Sequence, residues 1–351
     1  MSAPAVRARA RAGVVLPTLA VGLLATCVLA AGIGQFAIPP LQVLGSFLHH
    51  FAIPIGPMPE QPMGDATLWQ VRFPRVALAL LVGAALACAG AVLQGVFANP
   101  LAEPGVIGVS AGAAAGAAAV IVVGGVAVSE LAVSAGAFVA GLLATGVVYA
   151  LSRSGGRTEV VTLVLTGIAI NAVAGGLIAY LTFVASPIAR DEIVFWQLGS
   201  LNRATWSAVS IVAPMVLVGI GATMLLVRRL DLLALGEAPA RHLGVDVERL
   251  RLVAIVLVAL LTAAAVAFAG IILFVGLVIP HLMRLLVGPG HRVLVLASIL
   301  AGALLLVVAD LGARTLVTNA DLPIGILTSL AGGPFFLYLL RRERLQSGGW
   351  A

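Results

Sequence analysis

Apolar segments of 16 to 25 residues recur along the whole chain, separated by short stretches rich in Gly, Pro, Asn or charged residues. A helix needs ~20 residues to cross ~30 Å of hydrocarbon, so each segment predicts a membrane-spanning helix. The pattern predicts ten spans, at residues 14–35, 76–97, 106–124, 131–151, 160–184, 206–227, 252–269, 272–287, 293–312 and 325–340. We therefore interpret residues 1–351 as one all-α, polytopic membrane domain. Only Gly270 and a neighbour separate the seventh and eighth spans, so a re-entrant segment would give the same pattern.

The arginines are distributed unevenly between the two sides that this arrangement creates. With a cytoplasmic amino terminus, 15 arginines lie on the inside and five on the outside, namely Arg72, Arg75, Arg190, Arg203 and Arg314. Because positive residues concentrate in cytoplasmic loops, the pattern predicts that both termini are cytoplasmic. The expected location is a bacterial inner membrane.

Composition agrees with a chain whose main solvent is the lipid bilayer. Hydrophobic residues make up 61% of the sequence and charged residues 10%, against about 25% charged in a soluble domain. The net charge of +6 comes from arginines in short loops, without interleaved aromatic residues. This distribution argues against a nucleic-acid partner.

The residue types that are missing restrict the energy source. The chain has no lysine, so it cannot form a Gly-x-x-x-x-Gly-Lys-Ser/Thr phosphate loop. Its predicted spans carry almost no acid, apart from Asp310 near an outer end. Proton or sodium coupling usually needs buried ionisable groups, which disfavours a self-contained secondary transporter. That class and a membrane scaffold without transport remain the alternatives.

The histidines do not predict a metal site. The five lack metal-ligand spacing, and we expect this chain to bind neither a metal nor a cofactor. His49 and His50, at the start of an outer loop, are the two that could touch an arriving metal-containing ligand.

The longest predicted cytoplasmic insertion runs from Arg228 to Arg251. Its polar residues and glycines predict a short helix, a Gly turn and a second short helix outside the membrane, at about 231–250. It is either a simple connector or an element that docks on a separate ATPase.

Several motifs in order along the chain resemble the FecCD family of ABC importer permeases. In the amino-terminal half they are the segments 71–75, 90–94, 99–105 and 108–113, and in the carboxy-terminal half 276–281, 309–314 and 322–325. Two positions depart from the family pattern, with Ala98 where Arg is common and Asp321 where Glu is usual.

The resemblance implies a type II importer permease with ten spans per subunit and no ATPase site of its own. Its implied partners are a second permease copy, two ATPase subunits that bind ATP and Mg, and an extracellular or periplasmic substrate-binding protein. It also implies that outward-facing Arg72, Arg75 and Arg314 engage carboxylates of the binding protein, as guanidinium groups can do through bidentate bonds. The alternative is that they anchor helix ends at the headgroups.

The resemblance also assigns residues on the opposite side and along the path. It implies ATPase coupling by a segment whose candidate residues are Leu235, Gly236, Glu237, Ala240, Arg241, Leu243 and Gly244. The fifth span would border the translocation path through Thr162, Thr166 and Asn171, although such side chains also bond to neighbouring backbone. The segments 103–110, 195–201 and 204–206 are most similar to the haem-importing branch, with ferric-siderophore or cobalamin import as the alternative.

Overall fold

The structure is a computed structural model that describes residues 3–125, 128–155, 157–317 and 320–346. Ten apolar helices within these ranges correspond one to one to the ten predicted spans. They are α1 (Ala3–Gly32), α4 (Phe73–Val96), α5 (Val109–Gly124), α6 (Glu130–Leu151), α7 (Val160–Val184), α9 (Trp206–Leu233), α11 (Val247–Ala269), α12 (Val275–Val287), α13 (His291–Thr315) and α14 (Ile324–Gln346). The all-α polytopic fold predicted from the sequence is therefore confirmed.

Shorter elements lie between these helices. They are α2 (Pro40–His50), α3 (Gly64–Thr67) with a π-helical turn (Leu68–Arg72) that leads into α4, a 3₁₀ turn (Pro104–Ile107), α8 (Pro187–Leu198), α10 (Glu237–His242), and an antiparallel hairpin of β1 (Arg153–Ser154) and β2 (Arg157–Thr158). The sequence did not predict α2 and α8. Proline at the start of each, after Pro39 and after the cap Ser186, is the signal that could have located them.

Helix α4 forms the centre of the bundle and packs against α9, α11, α12 and α13. Its close contacts depend on glycines, because a Cβ at Gly90 would overlap the carbonyl oxygen of Gly276 and one at Gly83 would overlap that of Gly302. Helices α5 and α6 approach in the same way, with Gly112 against Ala140 and Ala144. Small residues allow this approach in lipid, where apolarity alone does not drive helices together.

The eighth span is shorter than predicted. Residues 270–274 are not helical, and α12 begins only at Val275. Its 13 residues cover about 20 Å at ~1.5 Å per residue, less than a bilayer core. The prediction of a helix from residue 272 is corrected, because the left-handed Phe274 stops the helix from extending backwards.

The non-helical segment holds two other elements in place. Gly270 lies against the backbone of Trp196 and Gly199, and Gly325 lies against the carbonyl oxygens of Leu198 and Ile271. The end of α8, the break before α12 and the start of α14 therefore meet backbone to backbone.

Candidate functional site

Contacts between helix ends define two faces of the bundle. One face carries the carboxyl end of α1, the amino end of α4 and the carboxyl end of α13, which Arg314 and Arg75 connect. We call it the predicted outer end, following the arginine distribution. The other face carries the hairpin and α10, and we call it the predicted inner end.

A largely buried ion cluster lies at the predicted outer end, with the Asp321 side chain, 31% exposed, at its edge. It consists of Arg75, Asp310, Arg314 and Asp321. Arg75 Nε lies 2.8 Å from Asp310 Oδ1, and its Nη1 lies 2.7 Å from Asp321 Oδ2. The Nε of Arg314 is 3.2 Å from the other oxygen of Asp310. Two cations and two anions balance, which offsets part of the cost of removing them from water.

The guanidinium groups of Arg72 and Arg314 cap helix α1. Arg72 donates to the carbonyl oxygens of Ala31 and Gly32 at 2.8 and 2.9 Å, and Arg314 donates to those of Ala30 and Ile33 at 2.9 and 3.0 Å. The last carbonyls of a helix have no partner within it and carry partial negative charge, so cations are favourable there. The arginines thus tie α1 to α4 and α13.

The three arginines lie at the predicted outer end, as expected, and the structure adds that their side chains are largely buried. Residue Arg72 is 4% exposed, and the side chains of Arg75 and Arg314 are 7% and 9% exposed. All three are occupied within the chain. Docking of a binding protein at Arg72, Arg75 and Arg314 remains a prediction, and a partner's carboxylates would have to compete with the existing bonds.

Sequence reasoning did not identify the acidic half of the cluster. It noted Asp310 as an acid in a span, and the spacing of four to Arg314 was a usable signal because such residues meet on one helix face. Asp321 had no local signal, since it lies 246 residues from Arg75.

At the predicted inner end, the structure divides residues 231–250 differently from the sequence interpretation. There is one short helix, the six-residue α10, whereas 231–233 continue α9 and 247–250 begin α11. The prediction of two short helices is corrected. The turns on either side of α10 need glycine, because Gly236 and Gly244 have φ of 107° and 83°.

Within this segment the candidate residues separate into anchors and an exposed surface. Ala240 is fully buried, and its carbonyl accepts from the Val245 N–H at 3.0 Å. Leu235 and Leu243 are 63% and 59% exposed, on either side of the short helix. They place exposed apolar area on both sides of α10.

Arg251 connects α10 to the rest of the inner end. Its guanidinium forms an ion pair with Glu237 and donates to the carbonyl oxygen of Thr158 at 3.2 Å. Glu237 also pairs with Arg241 at 3.2 Å, and Glu248 accepts from the Thr158 N–H at 2.9 Å. One buried arginine thus joins α10, α11 and the hairpin before α7. Sequence reasoning counted Arg251 only as an inside charge.

The three path candidates do not lie together. At ~100° per residue, Thr162 and Thr166 share one side of α7 with the exposed Val173 and Tyr180. The Oγ1 of Thr162 donates to Glu159 at 2.9 Å. Asn171 lies on the opposite side and donates to the Gly105 carbonyl at 3.2 Å, so it fastens the loop before α5. Lining of a path by these residues stays a prediction.

Of the two candidate histidines, His50 lies against aromatic residues at the predicted outer end. His50 stacks on Trp69 with ring centroids 3.6 Å apart. The ring of Trp69 also stacks against that of Trp206, with centroids 6.1 Å apart. Across residues 3–125, 128–155, 157–317 and 320–346, no group of three His, Cys, Asp or Glu side chains is placed to hold a metal ion. Contact of His49 or His50 with a ligand remains a prediction.

Comparison with known proteins identifies the family. The model of the FecCD transport family matches residues 22–342. The hemin transport system permease HmuU of Yersinia pestis is 42% identical over 80% of this chain and 85% of its own length. The cobalamin import permease BtuC of Halobacterium salinarum is 43% identical over 79% of this chain and 74% of its own. The Fe(3+) dicitrate permease FecD of Escherichia coli is 40% identical over 79% of this chain and 86% of its own.

A solved structure supports the same assignment at the level of the fold. It is an ABC transporter in an inward-facing conformation, assigned to the metal-chelate type. It aligns with a TM-score of 0.82 and 33% identity over 93% of this chain and 98% of that one. The ten apolar helices, the family match and this likeness agree, and the chain belongs to the FecCD transport family as a multi-pass ABC transporter permease.

Proposed function

We propose that this chain is the membrane-spanning subunit of a binding-protein-dependent importer that moves haem into the cytoplasm. The observation that carries the importer role is the exposed α10 at the arginine-rich end of a chain without lysine. A chain that cannot build a phosphate loop needs an external ATPase, and α10 with Leu235 and Leu243 offers the contact.

In this proposal the ATPases act through Arg251. Nucleotide-driven movement at α10 would reach α11 directly and the start of α7 through Thr158, because Arg251 bonds to both sides. Contiguous bonded elements of this kind can carry a rigid-body displacement from one site to another. Movement of α7 would then open the path alternately to each side.

The path itself is proposed to form between two copies of the chain. Helix α7 presents Leu165, Val173 and Phe183 at 61%, 69% and 80% exposure, and α14 presents Leu330 at 70%. A cavity between two such faces would have weak chemical selectivity, which suits a large planar ligand delivered by a binding protein. Thr162 and Thr166 would contribute the hydroxyl groups on this surface.

The choice of haem rests on similarity to the haem-importing branch and to the hemin permease of Yersinia pestis. Cobalamin is the second candidate, because the cobalamin permease of Halobacterium salinarum is 43% identical. Both ligands are large metal-containing macrocycles, so the permease surface discriminates between them poorly.

The test reconstitutes the permease in liposomes with its ATPase and binding protein and measures uptake of haem, a ferric siderophore and cobalamin. We expect ATP-dependent haem uptake that needs the binding protein. Uptake of cobalamin alone would overturn the substrate. Uptake by the permease without ATPase in a proton gradient would overturn the mechanism in favour of a secondary transporter.

A further inference from the structure

A cavity of about 580 Å³ lies at the predicted outer end between α5, α6, α8, α9 and α11, outside the ion cluster and the residues proposed for the path. This volume falls within the ~300–1,000 Å³ of ordinary small-molecule sites. The element that separates it from α7 is α8, which follows α7 after Ala185 and Ser186. The cavity plays no part in the proposed transport cycle.

The most buried residues that line the cavity are apolar. Ile121, Val133, Ala189 and Ala267 line it and are 1–7% exposed in the fold. At its edge, Leu131 is 56% exposed and Ile188 is 64% exposed. Leu131 lies on α6, a predicted span, and Ile188 lies on α8, so the edge of the cavity carries apolar side chains next to the surface that we expect lipid to cover. An acyl chain has the chemistry and the route to fill it.

The mouth of the cavity carries charge. Arg203 forms a two-bond ion pair with Glu192, at 2.5 and 3.0 Å. The same guanidinium lies 3.5 Å from Glu130, and this second pair is loose, with side chains 59% and 61% exposed. Two carboxylates face one guanidinium, so the mouth has a net charge of about −1 and one carboxylate that is only partly neutralised.

We propose that this cavity binds one acyl chain of a phospholipid whose headgroup carries a primary ammonium, such as phosphatidylethanolamine. The ammonium group pairs with Glu130, and the phosphate accepts from Arg203, which keeps its bonds to Glu192. Replacing Arg203 by the lipid ammonium as the partner of Glu130 costs little free energy, because an exposed ion pair such as Arg203–Glu130 contributes little on its own. An anionic lipid lacks the cation that the extra carboxylate requires.

The position of the mouth supports this orientation. Glu130 begins α6, Arg203 precedes α9 and Glu192 lies on α8, so the charges cluster where helices end and headgroups lie. Arg190 on α8 donates to the carbonyl oxygens of Thr182 and Ala185, so Arg203 is the arginine at the mouth.

The test uses the purified full-length chain, delipidated in detergent and titrated with phosphatidylethanolamine or phosphatidylglycerol, with bound lipid counted by native mass spectrometry. We expect one tightly retained phosphatidylethanolamine and weaker phosphatidylglycerol binding. Glu130→Gln should weaken phosphatidylethanolamine binding roughly threefold to fivefold, the worth of an exposed pair, and leave phosphatidylglycerol unchanged or stronger. Glu60→Gln, an exposed acid in the loop before α3, is the matched control and should change neither.

A second variant tests the acyl chain separately. Ala208 lines the cavity, and Ala208→Phe fills space without removing a charge. We expect it to reduce binding of both lipids while the protein stays monodisperse. Equal affinity for the two lipids in the unaltered chain, or phosphatidylethanolamine binding that is unaffected by both Glu130→Gln and Ala208→Phe, would overturn the proposal.

Discussion

Helices α4 and α7 are both long and apolar, yet they occupy opposite environments. Each span contains an 18-residue stretch that is its most apolar part. In the span that includes α4, 83% of that stretch is buried, whereas in α7 only 17% is buried. Hydropathy does not distinguish them, because lipid chains and protein side chains are equally apolar neighbours. What distinguishes α4 is that its glycines approach other spanning helices, Gly83 at α13 and Gly90 at α12, and that two carboxylates hold an arginine at its amino end, whereas Gly167 of α7 approaches only the turn at Val106.

The largest effect is expected from a side chain added where α4 meets α12. Gly90→Leu places a Cβ onto the carbonyl oxygen of Gly276, and neither backbone can move away within the packed bundle. The cost should exceed the ~1–3 kcal/mol of ordinary overpacking and abolish folded protein. The measurement is the monodisperse fraction in detergent.

The matched control is Gly175→Leu in α7, where an added Cβ meets nothing within 4 Å. It should fold with unchanged yield. Equal behaviour of Gly90→Leu and Gly175→Leu would show that the contrast between the two helices is not one of packing.

The next effect compares Arg75, at the amino end of α4, with Arg190, which lies on α8 and bonds to the carboxyl end of α7. Arg75→Met leaves Asp310 buried with only Arg314, and removal of one partner of a buried pair costs roughly 3–5 kcal/mol. Arg190→Met removes an exposed arginine that bonds to the carbonyl end of α7, and should cost less than ~1 kcal/mol. Thermal midpoints in one detergent compare the two, and the double variant Arg75→Met/Asp310→Asn should recover part of the loss.

A smaller effect on stability is expected where the hairpin before α7 meets α10. Arg251→Met removes a charged hydrogen bond to Thr158 and the ion pair with Glu237, worth about 1.5–3 kcal/mol. If α10 transmits the nucleotide-driven movement of the ATPases, the assembled transporter with this variant should retain ATP hydrolysis and lose uptake of substrate. Arg249→Met, on the exposed side of α11, is the control. Normal coupling in Arg251→Met would count against transmission through this residue.

The smallest effect on stability is expected on the exposed side of α7. Val173→Trp adds bulk at a side chain that is 69% exposed. The free energy of unfolding, followed through the thermal midpoint, should therefore change by less than ~0.5 kcal/mol. If a second copy packs on this side, the variant should still lower dimer yield and uptake. A stable, fully active dimer would place the path elsewhere.

The candidate site was less predictable than the fold. Residues such as Gly236 and Gly244 stood out because special backbone geometry needs glycine. The sequence did not reveal the roles of Arg251 and Asn171, because their partners Thr158 and Gly105 lie 93 and 66 residues away in the chain. A contact over that distance in the chain leaves no local pattern.

The hydropathy pattern was enough to establish a polytopic membrane protein of about ten apolar helices, because ~20 apolar residues have no other low-energy solvent. The sequence also determined that no phosphate loop exists, since lysine is absent. Three features required the folded structure: Arg72, Arg75 and Arg314 bond to groups inside the bundle, α12 is a short helix after a break, and α4 is central while α7 is exposed. The reason is physical: in lipid, apolarity fixes the environment of a helix, whereas shape and pairing of charges fix its neighbours.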